Sequence, residues 1–252
     1  MLVAERRAFL LQRLRADGKL VGRDIARELG MSEDSVRRDL RDLAAQGLCQ
    51  RVYGGAVPAS RALADYASRT SVEPNSKQRV AARAARLIRH GDRAILDGGT
   101  TTLAVARALP ADLNATVITH SPTIAAALVD HPTVEILLLG GRIYKHSAVA
   151  CGAATVEAAR GVSADVFLLG VTGVHPEHGL TTGDPEEAAM KRALAGRAAD
   201  TYVLASAEKV GAVSAYKVLD IDAVTGILTD GSDDGDIIQE LRRLVPTVIP
   251  SR

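Results

Sequence analysis

The spacing of hydrophobic residues changes along this 252-residue chain and divides it into two parts. Near the amino terminus, apolar positions recur every three or four residues, which is the period of one buried helix face. Farther along, short unbroken apolar runs alternate with helical patterns, as is typical of buried parallel strands connected by helices. The pattern predicts a small helix-rich domain at residues 1–57, a linker at 58–75 and an α/β domain at 76–252.

Two helices are predicted before residue 30, and a third directly after it. The first spans Val3–Ala16 and stops at Asp17-Gly18, and the second spans Gly22–Leu29. Gly30 closes the second helix, because glycine readily takes the left-handed conformation that such a stop needs. Ser32 is suited to cap the next helix, since its hydroxyl accepts a bond from a free amide. Two helices joined by a tight glycine-containing turn predict a helix-turn-helix.

The helix predicted after Ser32 has two different faces. Apolar residues share one side of it: Val36, Leu40 and Leu43. Arginines share the other side: Arg37, Arg38 and Arg41. A charged run is more often the solvated face of a surface helix. In a helix-turn-helix, however, this helix enters the major groove, where arginine bonds to guanine edges or to phosphates.

A β-hairpin is predicted after this helix. Leu48–Val57 alternates between apolar and polar residues and turns at Gly54-Gly55, so it reads as a wing. The expected DNA-contacting residues lie at the start and on the polar face of the arginine helix and on the wing: Ser32, Ser35, Arg37, Arg38, Arg41, Arg51 and Tyr53. The predicted partner is double-stranded DNA.

Strands and helices alternate from Ser76 onward. Helices are predicted at 76–90, up to 109 after a Gly/Thr loop, and at 122–129, 153–159, 185–199 and 234–244. Strands are predicted at 93–97, 115–119, 133–139, 164–170, 201–205 and 224–229. The fold class is therefore α/β, with a mostly parallel sheet covered on both faces. Ligands of such sheets bind at the carboxyl ends of the strands.

The loop after the first of these strands is the main candidate for ligand binding. It contains Asp97, Gly98, Gly99, Thr100, Thr101 and Thr102. Glycines allow close approach of the backbone to a ligand, and the following helix offers free amides, so the loop favours an anion such as phosphate. A plain strand-to-helix turn with a threonine cap explains the loop equally well. The loop lacks both the GxGxxG fingerprint and the lysine of a P-loop, which disfavours dinucleotides and nucleoside triphosphates.

Other strand ends add candidates at the same edge of the sheet. His120 and Ser121 follow one strand, Gly140-Gly141 follows another, and Lys209 follows the strand predicted to end at Ala205. Lys209 is suited to neutralise a phosphate, although a surface lysine is an equally good interpretation. His120 by itself is more often a hydrogen-bonded residue at a strand end than a functional one.

Composition narrows the remaining possibilities. The net charge is only +1, but residues 1–57 contain 11 Lys/Arg against 8 Asp/Glu, and the rest of the chain contains 20 against 22. The basic residues of the first part therefore matter through their position.

Cys49 and Cys151 are expected to be free thiols in a reducing cytoplasm, since no membrane span and no signal peptide is recognisable. His175 and His178 lack further ligands at suitable spacing, so we expect no metal and no other cofactor.

Several motifs resemble the DeoR family of bacterial repressors of sugar metabolism. They occur in order from about Arg6 to Asp230: SxxSVRRDL, RVYGGA, LDGGTTT, LLLGGR and the EK of LASAEKVG. The resemblance implies an amino-terminal winged helix-turn-helix and a carboxy-terminal domain similar to ribose-phosphate isomerases. It also implies an operator-binding homo-oligomer that senses a phosphorylated sugar, and it strengthens the phosphate interpretation of the Gly/Thr loop.

The chain departs from the family pattern at three positions. Ser35 stands where the family usually has Thr, His120 where it usually has Asn, and Ser206 where it commonly has Asp. The changes at 120 and 206 leave the identity of the effector open.

Two functions remain after this reading. The first is a repressor without enzymatic activity, controlled by a phosphorylated sugar. The second is a sugar-phosphate isomerase with an appended DNA-binding module, which requires a carboxylate or histidine base beside the substrate. The loop after strand 164–170 reads Val-Thr-Gly-Val-His and contributes no carboxylate directly. The sequence therefore favours the repressor and leaves the sign of the effector's influence on DNA binding undecided.

Overall fold

A computed structural model describes residues 2–60, 62, 66–230, 236–245 and 247–250. Its first part contains α1 (Val3–Asp17), β1 (Leu20–Val21), α2 (Gly22–Glu28), α3 (Glu33–Ala45), β2 (Cys49–Val52) and β3 (Gly55–Pro58). The three strands form an antiparallel sheet in the order β1-β3-β2. This is the winged helix-turn-helix that the sequence predicts.

The small domain has its own apolar core. The core residues come from all three helices and the strands, and they include Leu10, Leu14, Ile25, Val36, Leu40, Leu43, Cys49 and Ala56. The wing turns at Tyr53-Gly54, one residue before the predicted position. Strand β1 has two residues, too few for an alternating pattern to reveal it. Its pairing requires glycine at position 55, since a Cβ there would lie 1.7 Å from the Leu20 carbonyl oxygen.

Ion pairs fix α1 to α3. Asp39 is buried and pairs with Arg6 and Arg7 of α1, and Arg7 also contacts Asp42. The hydrogen bond from Arg6 to Asp39 raises the pKa of that guanidinium. Two acidic residues of α3 are therefore engaged on its inner side, away from the arginines that the sequence assigns to DNA.

Among the described residues, the second part contains seven α-helices and twelve strands, of which seven form the main sheet, three a small sheet and two a hairpin. The helices are α4 (Tyr66–Thr70), α5 (Pro74–Ala85), α6 (Thr100–Arg107), α7 (Pro122–Leu128), α8 (Ala153–Arg160), α9 (Pro185–Ala195) and α10 (Asp236–Leu244). The strands are β4 (Arg93–Leu96), β5 (Ala115–Thr119), β6 (Val134–Leu138), β7 (Arg142–Tyr144), β8 (Val149–Cys151), β9 (Ala164–Gly170), β10 (Gly173–His175), β11 (Gly179–Thr182), β12 (Ala198–Ala205), β13 (Tyr216–Leu219), β14 (Gly226–Thr229) and β15 (Val248–Pro250).

Seven of these strands form one sheet in the order β15-β14-β12-β9-β4-β5-β6, and every neighbouring pair is parallel. Two apolar clusters cover its two faces. The predicted α/β class and the mostly parallel sheet are thus confirmed. From β4 the chain proceeds to β5 on one side and later returns to β9 on the other. The strand order reverses between β4 and β9, and a ligand crevice is expected at this point.

The structure differs from the sequence prediction at several elements. Helix α5 ends at Ala85, five residues before the predicted end, because the next amides bond three residues back: Arg86 to Arg83, Leu87 to Ala84 and Ile88 to Ala85. Strand β12 begins three residues early, where Ala198 pairs with Ala164 of β9. The hairpin β7–β8 and the small sheet β10-β11-β13 were not predicted, since their strands have only three or four residues. Residues 234 and 235 of the last predicted helix lie outside the described residues.

The segment predicted as a linker, 58–75, makes defined contacts with the α/β domain. Ala59 forms a bridge with Val213, and the Ser60 hydroxyl donates to the carbonyl of Thr172. Helix α4 occupies part of the short helix predicted near residues 62–69, of which residues 63–65 are outside the described part. Close contacts therefore continue from the end of the wing to the α/β domain.

Candidate functional sites: an arginine surface and a cationic cavity

Helix α3 separates buried apolar residues from exposed arginines. Ser32 begins it as predicted, with its hydroxyl accepting from the amide of Ser35 at 3.3 Å. Val36, Leu40 and Leu43 are at most 2% exposed. The arginine surface, defined as Arg37, Arg38 and Arg41, is exposed to solvent.

The three arginines differ in their surroundings. Arg37 forms ion pairs with Glu33 and Asp34, one turn earlier on the same helix. Neither Arg38 nor Arg41 has an ion pair within the described part of the chain. Exposed pairs such as those of Arg37 contribute at most about 1 kcal/mol, so a phosphate can replace them. Arg38 and Arg41 can bind a phosphate without first losing an ion pair of this kind.

A groove lies between the wing and α3, and Arg37 lines it from the arginine surface, whereas Arg38 and Arg41 lie outside its wall. Tyr53 at the tip of the wing is fully exposed, and Arg51 is exposed next to it. Arg23 of α2 also lines the groove. Sequence reasoning missed Arg23, which lies outside the arginine helix and becomes a neighbour only through the turn. Ser35 bonds to Ser32, their hydroxyl oxygens being 3.0 Å apart.

A cavity that is partly open to solvent lies at the carboxyl ends of β4 and β9, and its free space, including the open part, is about 480 Å³. Its wall includes the predicted loop residues Gly98, Gly99, Thr100, Thr101 and Thr102. Gly99 has φ +107°, which favours glycine, and α6 begins directly after it. The first amides of any helix have no partner within that helix, so they are available to an anion. A Cβ on Gly98 would lie 2.0 Å from Cγ1 of Val149, so the loop requires glycine there as well.

Lysines bring positive charge to this cavity from three separate elements. Lys209 is buried and donates to the Thr101 hydroxyl at 3.0 Å and to the Leu204 carbonyl at 3.2 Å. Burial, helped by the neighbouring cations and opposed by Glu208, lowers the pKa of Lys209 to about 8. Burial also lowers the pKa of Lys77, whose ammonium donates to the Arg69 carbonyl. Both lysines, with Arg69, line the cavity.

The third lysine, Lys191, is tied to the predicted residue Asp97. Its ammonium lies 2.7 Å from Oδ2 of Asp97, and both side chains are buried. Burial by itself would lower the pKa of Lys191, but the attraction of Asp97 and Glu187 outweighs it and raises the pKa. Burial would likewise raise the pKa of Asp97, and Lys191 and His120 hold it at about 2 instead. Asp97 is thus an ionised anchor behind the loop, which also accepts the amides of Gly98 and Gly170.

His120 is completely buried against the same carboxylate. Its Nε2 lies 2.8 Å from Oδ1 of Asp97, and its Nδ1 lies 2.8 Å from the carbonyl oxygen of Ala150. Through these two contacts, His120 connects the end of β5 to β8 and to the carboxylate behind the loop.

The remaining predicted residues support the cavity from outside its wall. Ser121 is buried, and its hydroxyl donates to the carbonyl of Ala148. Gly141 has φ +153°, and a Cβ there would lie 2.0 Å from the hydroxyl of Thr155, which itself donates to the Gly140 carbonyl. These residues hold the segments next to the loop in place.

Sequence reasoning missed two carboxylates in the cavity wall, Glu187 and Glu208. Glu187 of α9 is buried, accepts the Thr182 hydroxyl at 3.2 Å and lies 3.8 Å from the Lys191 ammonium. Glu208 follows β12 in a short 3-10 turn and accepts the Ser206 hydroxyl at 2.8 Å. Glu208 belongs to the EK motif of LASAEKVG, although only Lys209 of that motif was assigned to the site, and no local pattern marks Glu187.

Other chemistry-bearing groups stand apart from both sites. Burial raises the pKa of Cys151 to about 12, and Cys49 is buried as well. Burial lowers the pKa of His175 to about 4, and no group of three metal-ligating side chains occurs within the described ranges. Over the same ranges, no helix combines the length and hydropathy that a bilayer span needs.

Both parts of the chain match models of known protein families. Residues 6–62 match the DeoR-like helix-turn-helix domain, and residues 72–231 match the DeoR C-terminal sensor domain. The transcriptional regulator GlpR of Haloferax volcanii is 31% identical over 99% of this chain and 98% of its own. The transcriptional repressor GlcR of Bacillus subtilis is 33% identical over 91% of this chain and 89% of its own.

One further relative and one solved structure are also similar to this chain. The glycerol-3-phosphate regulon repressor of Escherichia coli is 26% identical over 96% of both chains. The solved structure of ribose 5-phosphate isomerase A from Methanocaldococcus jannaschii overlaps 54% of each chain, with 17% identity and a TM-score of 0.41. Since two domain models and full-length relatives match in the same order, this chain belongs to the DeoR family of transcriptional regulators.

Proposed function

We propose that this protein represses genes of carbohydrate metabolism by binding operator DNA through the arginine surface, and that a phosphorylated sugar in the cavity controls the binding. The observation that carries the proposal is that this regulator has two cationic sites, one exposed on a helix and one buried in a cavity. One is an exposed arginine face on the second helix of a helix-turn-helix, and the other is a cavity lined by buried lysines.

The DNA-binding half rests on the geometry of α3 and the wing. Phosphate contacts position such a helix in the major groove, and base contacts select the sequence. Ser32, Ser35, Arg37, Arg38, Arg41, Arg51 and Tyr53 are the proposed contacts, and Arg23 joins them from α2. We propose a homo-oligomer in the cytoplasm, in which each subunit reads one half-site of the operator.

The sensing half rests on the cavity. The phosphate of the effector would accept from the first amides of α6 and pair with Lys209 and Lys77. Asp97, His120, Ser121, Gly140 and Gly141 would act indirectly by holding the loop. An effector changes DNA affinity only through its different affinity for the two states of the protein, and a difference of about 1–3 kcal/mol is typical.

The test begins with selection of an operator from a random double-stranded DNA library by the full-length protein. Anisotropy titrations then compare the wild type, Arg38→Ala and the exposed control Arg160→Ala of α8, with and without a panel of sugar phosphates. We expect specific binding that Arg38→Ala weakens, that Arg160→Ala leaves unchanged and that one sugar phosphate alters. Failure to enrich any sequence would contradict the DNA-binding role.

Glu187 gives the isomerase alternative a specific residue. It is a buried carboxylate in the cavity wall, where a base for proton transfer at a sugar carbon would be needed. Turnover of ribose 5-phosphate by the wild type that disappears in Glu187→Gln would favour the enzyme. We expect no turnover, because the Lys191 ammonium and the Thr182 hydroxyl already engage this carboxylate.

A further inference from the structure

Glu208 lines the cavity, and one of its carboxylate oxygens lacks a hydrogen-bond donor among the described residues. Oε1 of Glu208 accepts the Ser206 hydroxyl, whereas Oε2 is buried and has no partner among the residues that the structure describes. A buried acceptor without a donor costs free energy, and a charged one costs more. An unsatisfied oxygen in the wall of a ligand cavity thus marks a position where a ligand can donate.

The surroundings of Glu208 limit what this donor is. Its negative charge acts on both Lys77 and Lys209, opposing the lowering of their pKa values that burial causes. A ligand ammonium at this position would meet two lysine charges of the same sign. A phosphate would meet the carboxylate itself. A neutral hydroxyl group satisfies the oxygen without either repulsion.

We infer that Glu208 is a specificity-determining residue that accepts a hydrogen bond from a hydroxyl group of the effector. The inference rests on the proposed sensing function and refines it. The effector is a phosphate ester of a polyhydroxylated carbon chain, with its phosphate at the start of α6 and a hydroxyl at Oε2 of Glu208. Inorganic phosphate and plain alkyl phosphates occupy only the cationic side of the cavity.

The test compares phosphate esters with and without hydroxyl groups on the full-length protein. The probes are glycerol 3-phosphate, ribose 5-phosphate, fructose 1-phosphate and glucose 6-phosphate against propyl phosphate and inorganic phosphate. Propyl phosphate has the carbon count of glycerol 3-phosphate and no hydroxyl. Calorimetric titrations of the wild type should show at least one hydroxylated ester binding about tenfold or more tightly than propyl phosphate, as expected for a hydrogen bond to a charged group.

Two variants assign the preference to Glu208. Glu208→Ala should weaken the best hydroxylated ester by about tenfold or more, while inorganic phosphate binds equally or more tightly because a negative charge is gone. Glu208→Gln preserves size and should fall between Glu208→Ala and the wild type, since an amide oxygen is a weaker acceptor. Glu157→Gln, an exposed carboxylate of α8 paired with Arg160, is the matched control and should behave like the wild type.

The contradicting outcomes are distinct. If both Glu208 variants retain the wild-type ratio of hydroxylated ester to propyl phosphate, or lose affinity for all phosphates equally, Glu208 does not select hydroxyl groups. If the wild type binds the esters without preferring hydroxylated ones, the inference is wrong and the phosphate-sensing role survives. If the wild type binds none of the probes, the sensing role itself is contradicted, and this inference with it.

Discussion

The two cationic sites of this protein differ in how their charges are held. The arginine surface of α3 is exposed and, at Arg38 and Arg41, free of ion pairs within the described part of the chain. The cavity lysines are buried and are held by a hydroxyl, by backbone carbonyls and by Asp97. Exposed guanidinium groups stay charged and respond to salt. Buried ammonium groups respond to pH and to the loss of a partner.

The largest expected effect is the loss of stability when the buried ion pair between Lys191 and Asp97 is broken. Lys191→Met leaves the Asp97 carboxylate without its closest cation, which should reduce the free energy of unfolding by about 3–5 kcal/mol. Urea unfolding followed by circular dichroism measures the loss. Lys217→Met is the control, because Lys217 pairs with Asp220 at the surface and should contribute at most about 1 kcal/mol. Equal losses in the two variants would show that burial does not distinguish these pairs.

The next effect concerns the exposed site. Arg38→Ala should weaken operator binding by about 1–3 kcal/mol if Arg38 reads a base, with the loss concentrated at one base pair. If Arg38 contacts a phosphate, the loss should be uniform across sequences, and the salt dependence should fall by about one unit of slope. Anisotropy titrations at several salt concentrations measure both. An Arg38→Ala protein with unchanged affinity and unchanged slope would remove Arg38 from the interface.

A pH effect of similar size is expected only at the cavity. The pKa of Lys209 is lowered to about 8, so its ammonium is charged below this pH and becomes neutral as the pH rises above it. A phosphate ester already carries nearly its full charge above pH 7. Its affinity should therefore fall by up to about tenfold per unit above pH 8. Calorimetry from pH 7 to 9.5 measures the fall.

Lys209→Arg provides the control for this pH effect. Arginine stays charged over the whole range, so the decline should become shallower, leaving only the contribution of Lys77. Identical profiles for the wild type and Lys209→Arg would assign the titration to another group. Operator binding without effector should show no corresponding step near pH 8.

The smallest expected effect concerns the start of α3. Ser32→Ala removes the hydroxyl that accepts from the Ser35 amide, which should cost about 1 kcal/mol of stability. Ser32→Asp restores an acceptor and should recover the stability. Thermal unfolding measures both variants. A fully stable Ser32→Ala protein would mean that the helix start is held by its packing alone.

The same contrast explains what the sequence could predict. The arginine surface is encoded by one helical period and a cap within Ser32–Leu43, so local rules were sufficient to predict it. The Gly98–Thr102 loop was also visible, because a glycine pair between a strand and a helix is a local signal. Lys77, Glu187 and Lys191 gave no such signal, and Glu208 was visible only as part of the EK motif.

The cavity residues that the sequence did not reveal were missed for the same physical reason. Lys77 and Lys191 lie on helices, where a lysine normally belongs to a solvated face, and only the packing of α5 and α9 on the sheet turns them inward. Asp97 and His120 were expected beside the ligand, and their complete burial gives them a supporting place instead. Short strands such as β1, β7 and β10 are likewise set by tertiary pairing.

The most direct test of the account measures two readouts on two variants of the full-length protein. Operator affinity and the change in affinity caused by the best sugar phosphate are determined for the wild type, Arg38→Ala and Lys209→Met. The account predicts that Arg38→Ala loses operator affinity and still binds the sugar phosphate. Lys209→Met should bind the operator normally and lose the response. If either substitution impairs both readouts to the same extent, the proposal that one site binds the operator and the other binds the sugar phosphate is contradicted.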